Sequence, residues 1–160
     1  MRTYDSNTSK PRKSDEDIRN EGIVLINNAL RARSLSEPLL DSYFCGTADV
    51  SSINWACYMM QQSIELILKG LIKYYYEDFR EGHLVKYNAQ FLMELSGAYD
   101  ELREIYDILL DLSSSLSVML YKWESFSRYK ELYVNKPQIE RVNNILDELI
   151  PFIRRHNYVA

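Results

Sequence analysis

Apolar residues recur at Ile53, Ala56, Met60, Ile64, Ile67, Leu71 and Tyr74, in steps of three and four. That spacing puts them on one face of an α-helix. Leu68, Ile72 and Tyr75 widen the face to more than half the circumference, the pattern of a helix buried on most sides. Such a helix needs several neighbours, so the rest of the chain has to supply a bundle around it. The predicted helix runs from about Ser52 to Asp78, with Asp49, Ser51 and Ser52 as candidate N-caps. Beside its apolar face, Gln61, Glu65 and Lys69 make a polar ridge four residues apart. Glu65 precedes Lys69 in the favourable order, which on an exposed helix contributes ~0.3–0.5 kcal/mol. Tyr74, Tyr75 and Tyr76 close the helix and must face different ways.

The partner helices can be read in order. Residues 1–13 hold Arg2, Lys10, Pro11, Arg12 and Lys13 among small polar residues, the composition of a flexible tail. Ser14 followed by Asp15, Glu16 and Asp17 starts a helix whose Ile18, Ile23, Ile26 and Leu30 stripe runs to about Arg33. Residues 34–50 read as a long connection with a short helical turn from Pro38 to Phe44, ended by Gly46 and Asp49. A short helix is predicted from about Ala89 to Ser96, with Gly97 as its C-terminal glycine. Next comes a heptad seam: Leu102, Leu109, Leu116 and Trp123, then Ile105, Leu112, Met119 and Phe126 three residues on. This a/d pattern serves a bundle core or a dimeric coiled coil, and bundle packing is the simpler account. Asn135 and Pro137 open the last helix, and Ile139, Val142, Leu146, Leu149 and Ile153 form its stripe. Pro151 removes one of its hydrogen bonds. The expected fold is all-α: an up-and-down bundle of four long helices plus one or two short ones, as a single domain over residues 14–158.

Composition narrows the function classes. The chain of 160 residues carries a formal charge of −4, so no global basic footprint points to duplex DNA. Cys45 and Cys57 have neither metal-site nor disulfide-scaffold spacing and suit a reducing cytoplasm. No apolar run is long enough to span a bilayer, and no secretory signal is recognised. There is no glycine-rich phosphate loop, metal-ligand cluster or Ser/His/Asp set, so no cofactor, metal or catalytic residue is assigned.

The ridge becomes specific as Gln61-Gln62-x-x-Glu65-x-x-x-Lys69 on a bundle helix. This resembles the HEPN domain (higher eukaryotes and prokaryotes nucleotide-binding), whose second long helix carries such a motif. The resemblance covers about residues 15–156 and includes Arg128-Tyr129 after the seam. Two features depart from it. The His-Asp-Leu-like segment that often opens the short third helix has only Asn88 or His83 nearby. The nuclease members' Arg followed by His after four to six residues is missing, because Tyr76–Asp78 and Leu149–Pro151 stand where the arginine would be.

Metal-free RNA cleavage needs a general base and a cation for the developing charge. Only His83 and His156 are present, both outside that spacing. His83 sits in a turn after Gly82, where a solvent-exposed loop histidine is the simple account. Arg154, Arg155 and His156 complement a helix C-terminus, or grip phosphate. Glu65 and Lys69 make a surface pair, or a polar groove that the resemblance places beside Arg128. Arg128 and Tyr129 hold a phosphate and stack a base, or anchor a loop.

The resemblance implies a non-catalytic, homodimeric binding module for nucleotide, RNA or a partner such as a nucleotidyltransferase, in a toxin–antitoxin or defence setting. The candidate ligand-binding residues under this resemblance are Gln61, Glu65, Lys69, Arg128 and Tyr129; Arg154, Arg155 and His156 are, from their charge alone, candidate phosphate contacts. The alternatives are an RNase toxin with a non-standard active site and a plain protein-interaction bundle.

Overall fold

The computed structural model describes residues 15–47, 49–76, 85–126 and 135–159, and every element in them is helical. The predicted tail, His83, and the Arg128-Tyr129 pair lie outside the described residues. Helix α1 spans Asp15–Phe44, α2 Val50–Tyr75, α3 Val85–Leu95, α4 Tyr106–Leu112, α5 Leu116–Phe126 and α6 Lys136–Arg155, with a 3-10 helix at Asp100–Ile105 before α4. The expected all-α fold is present.

Helix α2 is central and packs against α1, α3, α5 and α6. Ile64, Ile67, Leu68, Leu71 and Ile72 are all fully buried. Asp49 caps it, its carboxylate accepting from the Ser52 N–H at 2.7 Å. The three closing tyrosines diverge as expected. Tyr74 lies beneath the Arg19 guanidinium, 5.4 Å from its ring centroid. Tyr75 points inward, with the Tyr99 ring 4.5 Å away, and Tyr76 meets Phe91 edge-on.

Helix α1 is one turn after another longer than its sequence suggests. It does not stop near Arg33 but continues through Pro38 to Phe44, so the short helical turn expected at Pro38–Phe44 is the last part of this same helix. Proline inside a helix costs about 3 kcal/mol. Burial of Ser36 and Leu40, and packing of Leu39 and Tyr43 on the core, offset this. Arg33 adds a long-range tie: from its buried position, Nη2 donates to Asn143 and to Asp147 Oδ1 on α6, the latter at 3.0 Å. The helix ends in a Schellman motif. Gly46 has φ 77°, its N–H donates to Tyr43 O, and the Thr47 N–H donates to Ser42 O at 2.8 Å. Gly97 plays no such role; it follows α3 in a turn without positive φ.

The heptad seam corresponds to three pieces, not one helix. Leu102, Ile105, Leu109, Leu112, Leu116 and Trp123 are buried within this single chain, so the seam serves the bundle core. Its backbone is broken at Ser113-Ser114-Ser115. The Ser113, Ser114 and Ser117 hydroxyls each donate to the carbonyl three residues back, at 2.7–2.8 Å. Serine hydroxyls that bond nearby carbonyls compete with regular helix. The N–H groups of Ser114, Ser117 and Val118 likewise close three-residue turns. After this tightening the inward register slips by one: Leu120 is fully buried while Met119 is only partly so.

Helix α6 opens as predicted. Asn135 and Gln138 form a reciprocal capping box with Pro137 in the first turn. Pro151 is accommodated on an exposed side, and the helix continues to Arg155. Helix α3 starts earlier than expected, which places Asn88 inside it, buried, with its Nδ2 lacking a hydrogen-bond partner.

Candidate functional site

The Gln-Gln-x-x-Glu-x-x-x-Lys residues form one hydrogen-bonded network on α2, centred on the Glu65 carboxylate. Oε1 of Glu65 receives Lys69 Nζ at 2.8 Å. Oε2 accepts from Gln61 Nε2 at 3.1 Å and from Gln62 Nε2 at 3.4 Å. Gln62 Nε2 also reaches Gln61 Oε1 at 2.7 Å. Gln62 is therefore a working member of the cluster.

This is not a surface ion pair. Glu65 is 3% exposed and Lys69 8%, so the few tenths of a kcal/mol of an exposed pair do not apply. On the α1 side of the same helix, the Ser63 hydroxyl donates to the Ala29 carbonyl and Gly70 touches α1. Gln61 and Glu65 lie two residues to either side of Ser63, about 160° around the helix from it. The network thus occupies the face of α2 turned away from α1. Its accessible edge is Gln62, which shares a stripe with Trp55 and Tyr58 towards the N-terminus and with Leu66 and Lys73 towards the C-terminus. Trp55 is exposed, its ring edge-on to Tyr58 at 5.8 Å. Lys73 pairs with Glu21 of α1 at 3.2 Å.

A family model for the HEPN domain matches residues 47–156. The chain belongs to the HEPN family. The matched region begins at the last residue of the Schellman turn, so it takes in α2 to α6 and leaves α1 outside it. Of the residues that carried the resemblance, Gln61, Gln62, Glu65 and Lys69 share the network around the Glu65 carboxylate. No curated protein and no solved structure matches the chain.

At the other end of this HEPN domain, the basic cluster is engaged internally. Arg155 Nη2 donates to Glu104 Oε2 at 2.9 Å, and His156 Nε2 lies 2.9 Å from Glu104 Oε1. One carboxylate thus pairs with both side chains, while Arg154 is exposed. Bonds from Arg155 and then His156 hold the Glu104 carboxyl below the usual carboxylate range. Nothing in the sequence links Glu104 to residues about fifty positions later, so this partner could not be read from spacing.

Behind it lies an aromatic clamp. Asn157 adopts φ 58° and turns the chain so that Tyr158 folds back into the core. The Tyr158 and Tyr75 hydroxyls share a hydrogen bond, and Tyr75 donates to Glu101 Oε1 at 2.8 Å. Burial pushes the Tyr158 phenol up to about 12 and the Tyr75 phenol higher still. Burial also raises the Cys57 thiol to about 12, which makes it an inert core thiol at neutral pH. Among the described residues no His/Cys/Asp/Glu group is arranged to hold a metal, and no helix is long and apolar enough to cross a membrane.

Proposed function

We propose that this HEPN domain is a non-catalytic binding module that pairs with a second copy and takes a nucleotide or RNA segment. A nucleotidyltransferase partner of the toxin–antitoxin or defence kind fits the same reading. The observation that carries it is the Glu65-centred network and its accessible edge. An apolar set of similar volume would hold a helix core as well as a buried ion pair does. Polar groups retained here therefore ask for a use, and Gln62, Trp55 and Tyr58 bring amide and aromatic chemistry from that network to the surface.

The absence of the nuclease spacing supports a role without cleavage. His156, with Arg155, is bonded to the Glu104 carboxylate, and the arginine beside it is the preceding residue rather than one four to six residues earlier.

Fluorescence anisotropy with labelled single-stranded RNA tests the reading. Affinity should fall as salt rises, and Gln62→Ala or Trp55→Ala should weaken binding while leaving the far-ultraviolet helix signal intact. Absence of binding at low salt overturns it and leaves a protein-interaction bundle. RNA cleavage by the purified protein overturns its non-catalytic part, and a monomer by light scattering overturns the pairing.

A further inference from the structure

A second surface feature lies away from the α2 ridge. Helices α3 and α5 enclose a groove of about 180 Å³ lined by Val85, Lys86, Tyr87, Ser117, Val118 and Tyr121. Val85 is buried and forms part of its floor. Tyr87, Val118 and Tyr121 are 47%, 58% and 52% exposed. Large apolar and aromatic side chains gathered this way mark a contact surface more often than isolated ones do.

The size limits the occupant. Pockets for whole small molecules run to roughly 300–1,000 Å³, so this groove takes one ring rather than a large ligand or a docked helix. The walls specify the ring. The Tyr87 and Tyr121 rings come from different helices and both line the groove. Charge specifies what adjoins it. None of the lining residues is acidic. Lys86 has no carboxylate partner among the described residues, and its ammonium lies 5.9 Å from the Tyr87 centroid. Lys122 follows Val118 by one turn on the same side of α5 and is also exposed. Cations beside a small groove with aromatic walls, in a chain whose formal charge is −4, are complementary to a flat ring that carries an anion.

We propose that the α3–α5 groove stacks one unpaired nucleobase of single-stranded RNA, with Lys86 against the adjoining phosphate. The inference rests on the RNA-binding reading for its ligand and adds a contact point separate from Gln62 and Trp55. Base–aromatic stacking contributes about 1–3 kcal/mol per base, which corresponds to roughly a 5- to 150-fold change in Kd.

The test is anisotropy with a labelled eight-nucleotide single strand and the full chain. Tyr87→Ala and Tyr121→Ala should each weaken binding within that range. Lys86→Ala should lower the slope of log affinity against log salt by about one phosphate contact. All three positions are exposed, so circular dichroism should be unchanged. If the wild-type chain binds RNA, Gln62→Ala weakens it, and the tyrosine variants bind as wild type, the groove assignment falls while the RNA reading stands. If the wild-type chain binds no RNA, both fall. A groove that instead seats an aromatic side chain of a protein gives the first of these results.

Discussion

Gly22 of α1 and Gly70 of α2 lie against each other, and the contact is reciprocal. A Cβ on Gly22 would stand 2.6 Å from the Gly70 carbonyl oxygen, and one on Gly70 would stand 2.8 Å from the Gly22 carbonyl oxygen. The two longest helices therefore meet backbone to backbone, with Ile26 closing over Gly70 at 2.5 Å from the same position. Because the obstacle is main chain, no rotamer change can relieve it.

Gly22→Ala and Gly70→Ala should each destabilise the bundle. Alanine improves helix propensity by about 1 kcal/mol over glycine, but overpacking a tight contact costs about 1–3 kcal/mol and here forces two helices apart. A net loss of roughly 1–2 kcal/mol is expected, read as a lower urea midpoint. An unchanged or raised midpoint would contradict the close approach.

Glu65 and Lys69 should be strongly coupled. Removing one partner of a buried pair costs about 3–5 kcal/mol, so Glu65→Leu and Lys69→Met should each be severe. The double variant should cost less than the sum of the two, with a coupling energy of about 0.5–3 kcal/mol. Strictly additive losses in a double-mutant cycle would mean the two side chains act independently.

Stability should carry an acid limb from Glu104. Arg155 and His156 lower its folded pKa, so the carboxylate contributes above its unfolded value of about 4.3. That contribution is lost as pH falls through the lower folded value. The stability difference between wild type and Glu104→Gln should thus shrink and vanish in acid. A difference that persists at the lowest pH would show that charge is not its source.

An alkaline limb should come from Tyr158. Its folded pKa is raised by burial to about 12, against about 10 for an exposed phenol. The phenol's contribution is complete below about 10. It is then lost as pH rises through the folded value. Tyr158→Phe should lose roughly 1 kcal/mol at neutral pH with the missing hydrogen bond, and should flatten the decline above pH 10. Spectroscopic titration in which all tyrosines ionise near 10 would refute the clamp.

Much of the bundle was legible because burial leaves a periodic record. The stripe from Ile53 to Tyr74, the Asn135 cap and the inward leucines of the seam all occupy the places their spacing indicates. The site was legible as far as the motif went, since Gln61, Gln62, Glu65 and Lys69 sit within one turn or two of each other on one helix. Where local signals conflict with tertiary ones, the sequence misleads. Pro38 reads as the start of a separate short turn, yet the helix runs through it because Ser36 and Leu40 have a core to enter. The heptads of the seam imply one continuous helix, yet the serine hydroxyls take the carbonyls at its centre.

The amino-acid sequence by itself determined the helical class, the central position of α2 and the polar residues upon it, because periodicity and capping act within a few residues. Only the tertiary structure decided that Glu65 and Lys69 are buried, that Glu104 claims Arg155 and His156, and that Gly22 meets Gly70. Each of these depends on which faces meet across distant stretches of chain, and a residue's solvent exposure is fixed by that packing rather than by its neighbours in sequence.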